Sequence, residues 1–199
     1  MTTSVHPSAI VGTDVEIGDG TSVWHLVQIR EGARLGRDCI IGRGAYIGSG
    51  VVLGDSCKVQ NFALVYEPAR VGCGVFVGPA AVLTNDQYPR AVNGDMSRKS
   101  AADWEPVGVT IGDGASIGAR AVCVAPVTIG RWALVAAGAV VVKDVPDFAL
   151  VAGSPARWLR WVGKAGVPLT DEGNGRYRCP RTGETYIEKD DHTLVEGSQ

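Results

Sequence analysis

Aliphatic residues recur at every sixth position from Val5 to Leu83, running Val5, Val11, Ile17, Val23, Ile29, Leu35, Ile41, Ile47, Leu53, Val59, Val65, Val71, Val77, Leu83. Four positions after each stands a smaller residue, among them Ala9, Val15, Thr21, Val27, Ala33, Cys39, Ala45, Val51, Cys57, Ala63, Ala69, Val75 and Ala81. Glycine often follows the aliphatic directly, as at Gly12, Gly18, Gly36, Gly42, Gly48, Gly54, Gly72 and Gly78. A beat of six matches neither the period of about 3.6 of an amphipathic helix nor the alternation of a half-buried strand. One large and one small inward residue in each short repeat predicts a stacked all-β solenoid. The beat resumes at Ile111, Ile117, Cys123, Ile129, Val135 and Val141, so one repeat body is expected over 1–157.

Between the two blocks the period is lost. Residues 86–108, from Asp86-Gln87-Tyr88-Pro89-Arg90 to Asp103-Trp104-Glu105-Pro106, carry no repeat. A long loop inside a regular body is uncommon and tends to carry function. After Val141 the chain reads Val142-Lys143-Asp144-Val145-Pro146-Asp147-Phe148-Ala149-Leu150-Val151-Ala152-Gly153-Ser154-Pro155-Ala156-Arg157. Gly153 and Pro155 are expected to turn the chain out of the body. Trp158-Leu159-Arg160-Trp161-Val162 suits a short capping helix. The polar remainder of 158–199 reads as a short hairpin or disorder.

The repeat together with this terminal stretch resembles the hexapeptide-repeat acyltransferases. The resemblance spans about four fifths of the chain and implies a left-handed parallel β-helix of three hexads per turn; the general crossover rule would favour the opposite hand. Eighteen residues per coil then place residues in columns. One corner carries His25, Arg43, Asn61 and Pro79; the next carries Glu31, Ser49, Glu67 and Asn85; the third carries Asp19, Arg37, Asp55 and Cys73. The loop therefore leaves from the corner of Asn85, above Glu67.

Composition narrows the partners. A formal charge of −2 gives no reason to expect nucleic acid or an anionic membrane. No apolar run reaches the length of a membrane span, the N-terminus lacks a signal-like apolar region, and a cytoplasmic location is expected. Of five cysteines, Cys39 and Cys57 fall on inward small-residue sites and are expected to stack as small hydrophobes. Cys179 stands alone in Arg178-Cys179-Pro180-Arg181-Thr182-Gly183-Glu184-Thr185-Tyr186, without the paired elements a zinc ribbon needs. No metal is expected. A carbonic anhydrase of this fold would need three convergent histidines, and His6 and His192 lie at opposite ends of the chain from each other.

A narrower resemblance rests on Val59-Gln60-Asn61-Phe62-Ala63-Leu64-Val65-Tyr66-Glu67 and Val77-Gly78-Pro79-Ala80-Ala81-Val82-Leu83-Thr84-Asn85-Asp86-Gln87-Tyr88-Pro89-Arg90-Ala91, with Trp24-His25 in support. These are similar to the nucleotide-sugar N-acetyltransferases acting on UDP- or dTDP-linked 3-amino-3-deoxy hexoses or hexuronates. Lys164-Ala165-Gly166 stands where related tails carry cysteines, a departure confined to the tail. The resemblance implies acetyl-CoA as co-substrate, a homotrimer with sites between subunits, and an asparagine beside the sugar amine, here Asn85. Glu67, one coil below, could accept the proton or stabilise the ammonium. Arg30, Tyr66 and Arg90 are candidates for the nucleotide sugar, with His25, Glu31 and Asn61 as further substrate contacts. Backbone at Ala119, Ala136, Ala137 and Gly138 is the candidate path for pantetheine, where small side chains permit close approach. Lys143 and Arg157 are candidate phosphate partners. Two other readings stay open: an O-acetyltransferase using His25, and a non-catalytic scaffold or sugar-binding prism.

Overall fold

The computed structural model describes residues 2–190 and 193–197. His192 lies outside the described residues. The beat of six becomes a strand of two or three residues, a turn, and another strand, so three strands complete a coil and each pairs in parallel with its counterpart one coil on. On the first face Val5 pairs with Val23, Val23 with Ile41, Ile41 with Val59 and Val59 with Val77. The second face stacks Ile10–Val11, Gln28–Ile29, Tyr46–Ile47, Leu64–Val65, Val82–Leu83, Val122–Cys123 and Val140–Val141. The third stacks Glu16–Ile17 through Val127–Ile129. Every aliphatic on the beat from Ile29 to Leu83 is buried, as are the small residues four positions on from Thr21 to Ala81. Each large side chain so buried contributes about 1.5–3 kcal/mol. Thr21 is the one buried polar residue among those described, and it is satisfied: its hydroxyl donates to the Gly36 carbonyl at 2.8 Å and accepts the Cys39 N–H at 2.9 Å.

The corners need a left-handed residue at their second position, which Gly44 and Gly50 supply at φ 64° and 63°. Leu26, Phe62 and Ala80 adopt the same conformation with side chains. The column spacing survives the loop. Val77 pairs with Ile117, forty positions on instead of eighteen, so the excursion adds 40 − 18 = 22 residues. Its end returns to its start, with the Val107 N–H donating to the Asn85 carbonyl at 3.1 Å.

The C-terminal part differs from the expectation. Residues 156–161 form a strand, antiparallel to Ala149–Gly153, instead of a capping helix. Spacing of Trp158, Trp161 and Val162 suits a helix, but the open edge of the first face offers unpaired backbone groups and the chain turns at Gly153 to take them. The described residues that follow make more than a lone hairpin. Thr170–Gly173, Arg176–Arg178, Thr185–Asp190 and Thr193–Glu196 form a four-stranded antiparallel sheet. Cys179, Tyr186 and Leu194 are its buried side chains, and Tyr186 meets Phe148 edge-on at 5.3 Å, closing this end of the prism. No helix among the described residues is long and apolar enough to cross a membrane.

Candidate functional site

The corner between the second and third faces stacks Glu31, Ser49, Glu67 and Asn85 in successive coils. Register carries the column on to Ala125 and Lys143. Lys143 thus stands two coils above Asn85, about 10 Å along the axis. Asn85 is half-buried at the mouth of the loop, and its carbonyl is held by Val107. Beside it the Thr84 hydroxyl accepts the Ala125 N–H at 3.0 Å, tying the coil of Asn85 to the one above.

Glu67 folds back over Gly48 in the coil below. Its Oε2 is buried and, among the described residues, has no hydrogen-bond partner. A buried carboxylate oxygen without a donor is costly, which marks a place where a donor from a ligand would be stabilised. Tyr46 and Tyr66 pack nearby with ring centroids 5.1 Å apart. Desolvation, and then the Glu67 charge, raise the Tyr46 phenol above its ordinary range.

Arg30 is more committed than an anion receptor should be. It makes a two-pronged pair with Glu31, Nε to Oε2 and Nη2 to Oε1 both at 2.8 Å, and Nη1 reaches the Tyr46 hydroxyl at 3.4 Å. The pair raises the Arg30 guanidinium and holds the Glu31 carboxyl below the usual range. Arg30 therefore orders this corner. Tyr46, which joins Arg30 to the Glu67 end, escapes the sequence reading. Its signal was available: an outward tyrosine on the second face, one coil below the Leu64-Val65-Tyr66 stretch.

The other candidates divide between two further places. His25 and Asn61 lie on the corner between the first and second faces. His25 is about 14 Å along the axis below the level of Asn85. Its ring stacks on His6 at 3.6 Å, while Asn61 Oδ1 accepts the Arg43 N–H at 2.9 Å and so serves the turn. The structure does not bring either one to Asn85 within the chain. Arg90 is on the exposed loop, its Nη1 donating to the Pro89 carbonyl at 3.0 Å.

Higher on the His25 corner, Ala119 and Ala137 occupy successive coils. Lower corners cap the equivalent N–H with a side chain from the next coil, as Asp55 does for Arg37 and Asn61 for Arg43. Alanine has no acceptor, so the N–H groups of Ala119 and Ala137 carry no hydrogen bond among the described residues. The N–H of Ala136 and of Gly138 are already spent, on the Val151 and Ala119 carbonyls at 2.9 and 2.8 Å. Only part of the expected backbone path is thus open. Lys143 and Arg157 do share one cleft, with Val141, Val151, Ala156 and Trp158 on its walls. A cleft with two cations suits a phosphorylated arm, and the open N–H groups stand on the other corner of the second face. Among the described residues no three His, Cys, Asp or Glu side chains are grouped to hold a metal ion.

Fold and site together define a parallel β-helix of hexad repeats with a 22-residue excursion and an open cleft at its upper coils. The pattern described as bacterial transferase hexapeptide (six repeats) matches residues 32–67, and the hexapeptide repeat of succinyl-transferase matches 108–143. Both blocks of the prism thus carry the hexapeptide repeat found in this group of transferases. It is 59% identical over 44 residues to a dTDP-3-amino-3,6-dideoxy-alpha-D-galactopyranose 3-N-acetyltransferase of Aneurinibacillus thermoaerophilus, covering 22% of this chain and 23% of that protein. It is 50% identical over 52 residues to a 2,3,4,5-tetrahydropyridine-2,6-dicarboxylate N-acetyltransferase of Staphylococcus aureus, covering 26% and 22%. The chain thus spans about a quarter of the length of these curated relatives. Among solved structures, a hexapeptide-repeat-containing acetyltransferase of Vibrio cholerae complexed with acetyl coenzyme A is 28% identical with TM-score 0.53, covering 67% of this chain and 72% of that one. A UDP-N-acetylglucosamine acyltransferase of Francisella novicida shares the fold at 17% identity and TM-score 0.57, covering 80% and 68%.

Proposed function

We propose that this protein transfers the acetyl group of acetyl-CoA to the amino group of a UDP- or dTDP-linked amino sugar, a 3-amino-3-deoxy hexose or hexuronate. The observation that carries the reading is the Glu67–Asn85 pair. A carboxylate oxygen without a donor lies one coil below a half-buried amide, at the base of the loop. The name of the Aneurinibacillus relative, which matches over a short stretch, supports the same acceptor class.

The chemistry needs no dedicated base. Taking an α-amino group, with pKa about 7.8, as a stand-in for a sugar amine, reaching the free base at pH 7 costs about 1 kcal/mol, against roughly 4.6 for a lysine-like amine. A hydroxyl acceptor would need a base at the moment of attack. The Asn85 amide oxygen would accept a hydrogen bond from the amine and aim its lone pair at the thioester carbon. The C–N bond forms, the tetrahedral intermediate collapses, the C–S bond breaks, and the thiolate takes the proton the nitrogen loses. Lys143 and Arg157 would hold the phosphates of the coenzyme, with the Ala119 and Ala137 N–H groups along its arm. A homotrimer in the cytoplasm completes the reading, in which a neighbouring subunit would wall the cleft.

The test is release of free thiol from acetyl-CoA over a panel of UDP- and dTDP-linked amino sugars, with product mass fixing acyl group and position. No thiol release on any panel member overturns the reading. Release with simple alcohols, lost in His25→Ala, would replace it with O-acetylation.

A further inference from the structure

The 22-residue excursion is folded, and the way it is folded sorts its charges. Val92 bridges to Arg98 in antiparallel fashion, and the Lys99 N–H donates to the Ala91 carbonyl at 3.1 Å. The bridge sets Arg90 on one limb against Arg98 and Lys99 on the other. A cleft of about 380 Å³ lies between them, lined also by Asp86 and Trp104.

Two of the loop's carboxylates, Asp95 and Asp103, are engaged within the loop by serines. Asp95 accepts the Ser97 N–H at 3.0 Å and hydroxyl at 2.6 Å; Asp103 accepts the Ser100 N–H at 2.7 Å and hydroxyl at 2.6 Å. These bonds hold both carboxyls below their ordinary range. Asp86, the one acid on the cleft wall, accepts the Tyr88 N–H at 2.9 Å. Arg90, Arg98 and Lys99 form no ion pair among the described residues. The concavity thus gathers three cations against one lining acid, Asp86, with Lys99 also close enough to Asp103 to favour its charged form. Two guanidinium forks and an ammonium match the oxygens of a polyphosphate, and a half-buried indole gives the cleft an apolar wall.

We propose that this cleft is a polyphosphate subsite that takes the diphosphate of a nucleotide-linked substrate, with Arg98 and Lys99 as its binding residues beside Arg90. The inference rests on the function proposed above. Asp86 follows Asn85 directly, so a sugar held by its diphosphate in the loop would present its ring at Asn85. The phosphates of coenzyme A share the chemistry but have the separate Lys143–Arg157 cleft.

Calorimetric titration of the full chain with UDP, dTDP, inorganic pyrophosphate and coenzyme A, at low and physiological salt, tests this. The Arg98→Ala/Lys99→Ala variant should bind pyrophosphate and the preferred nucleoside diphosphate at least about tenfold more weakly, with coenzyme A affinity held and the salt dependence reduced. The KM for a nucleotide sugar should rise by a similar factor. An unchanged melting temperature, with an Arg98→Gln/Lys99→Gln variant behaving alike, separates lost charge from a disturbed loop. Unchanged diphosphate affinity, loss falling on coenzyme A instead, or a wild-type chain that binds neither UDP nor dTDP overturns the proposal. Acetyl transfer that survives intact in the variant sinks the subsite and leaves the function standing. Diphosphate binding through Arg98 and Lys99 without transfer to any nucleotide-linked amine does the reverse.

Discussion

The Glu67 carboxylate rests on the Cα of Gly48 in the coil beneath it. A Cβ at Gly48 would overlap Oε2 and stand 2.6 Å from the Glu67 backbone nitrogen, so the carboxylate can lie there only because residue 48 has no side chain. Gly48→Ala is expected to push Glu67 outward and strain the coil spacing. Acetyl transfer should fall about tenfold or more while coenzyme A affinity is held, because displacement by an ångström is costly to a positioned reaction. A Gly48→Ala enzyme with wild-type turnover would remove Glu67 from the site.

Asn85→Ala should lower turnover by at least about tenfold with the oligomer intact by sedimentation. The amide is half-buried at the loop mouth, and its backbone bond to Val107 does not depend on the side chain. Wild-type rates in this variant would sink the assignment.

The cap is expected to fold with the prism. Tyr186 is 1% exposed, packs on Phe148, accepts the Lys164 N–H at 3.1 Å and donates to Glu184 at 3.2 Å. Tyr186→Ala should destabilise the chain by about 3–5 kcal/mol in urea unfolding. A loss below about 1 kcal/mol would mean that the four-stranded sheet opens independently of the coils.

Stability should fall in acid. Hydrogen bonds from Arg30 to Glu31, from Arg37 to Asp55, from Ser97 to Asp95 and from Ser100 to Asp103 all hold carboxyls below their ordinary values. A depressed folded pKa means the unfolded chain binds more protons, so the contribution is complete above the ordinary carboxylate range and is lost as pH drops through the folded values. The urea midpoint should be flat from about pH 7 to 5 and decline below about pH 4. These groups are exposed, so added salt should shrink the effect. A midpoint that rises on acidification contradicts the ion-pair reading.

Thiol chemistry should be uneven. Cys73 is exposed, whereas Cys39, Cys57, Cys123 and Cys179 are buried, and burial pushes the Cys123 thiol up to about 12. A thiol reagent should label one cysteine rapidly in the folded protein and all five after denaturation. Fast labelling of Cys123 would show that the coils open far more readily than their packing implies.

The prism could be read from the chain because each coil repeats one instruction: a large aliphatic, a small residue four on, and a turn. Val23, Ile41 and Val59 stack because eighteen-residue spacing leaves them no other place. The placement of Glu31, Ser49, Glu67 and Asn85 in one column follows from the same counting, whereas Lys143 joins that column only through the pairing that spans the loop. What escaped it depends on contacts that no period encodes. The tail looked polar because most of its side chains face outward, and the few that do not, Cys179, Tyr186 and Leu194, are too sparse to make a pattern. Trp158 to Val162 suited a helix by spacing and became a strand because an unpaired sheet edge lay beside it. Tyr46 joined the site through a hydroxyl reaching Arg30, which is a matter of side-chain direction. Arg30 seemed free to hold an anion until its neighbour Glu31 closed on it.

The excursion departs and re-enters at a single vertex, and the coils on either side continue as though it were absent: Val77 meets Ile117 in the register that Val59 has with Val77. The prism is thus indifferent to what is spliced in between Asn85 and Gly108. On the function proposed above, such a seam would let acceptor preference be exchanged as a cassette while the coils that carry Lys143 and Arg157 stay untouched, a route by which one scaffold could serve many sugars.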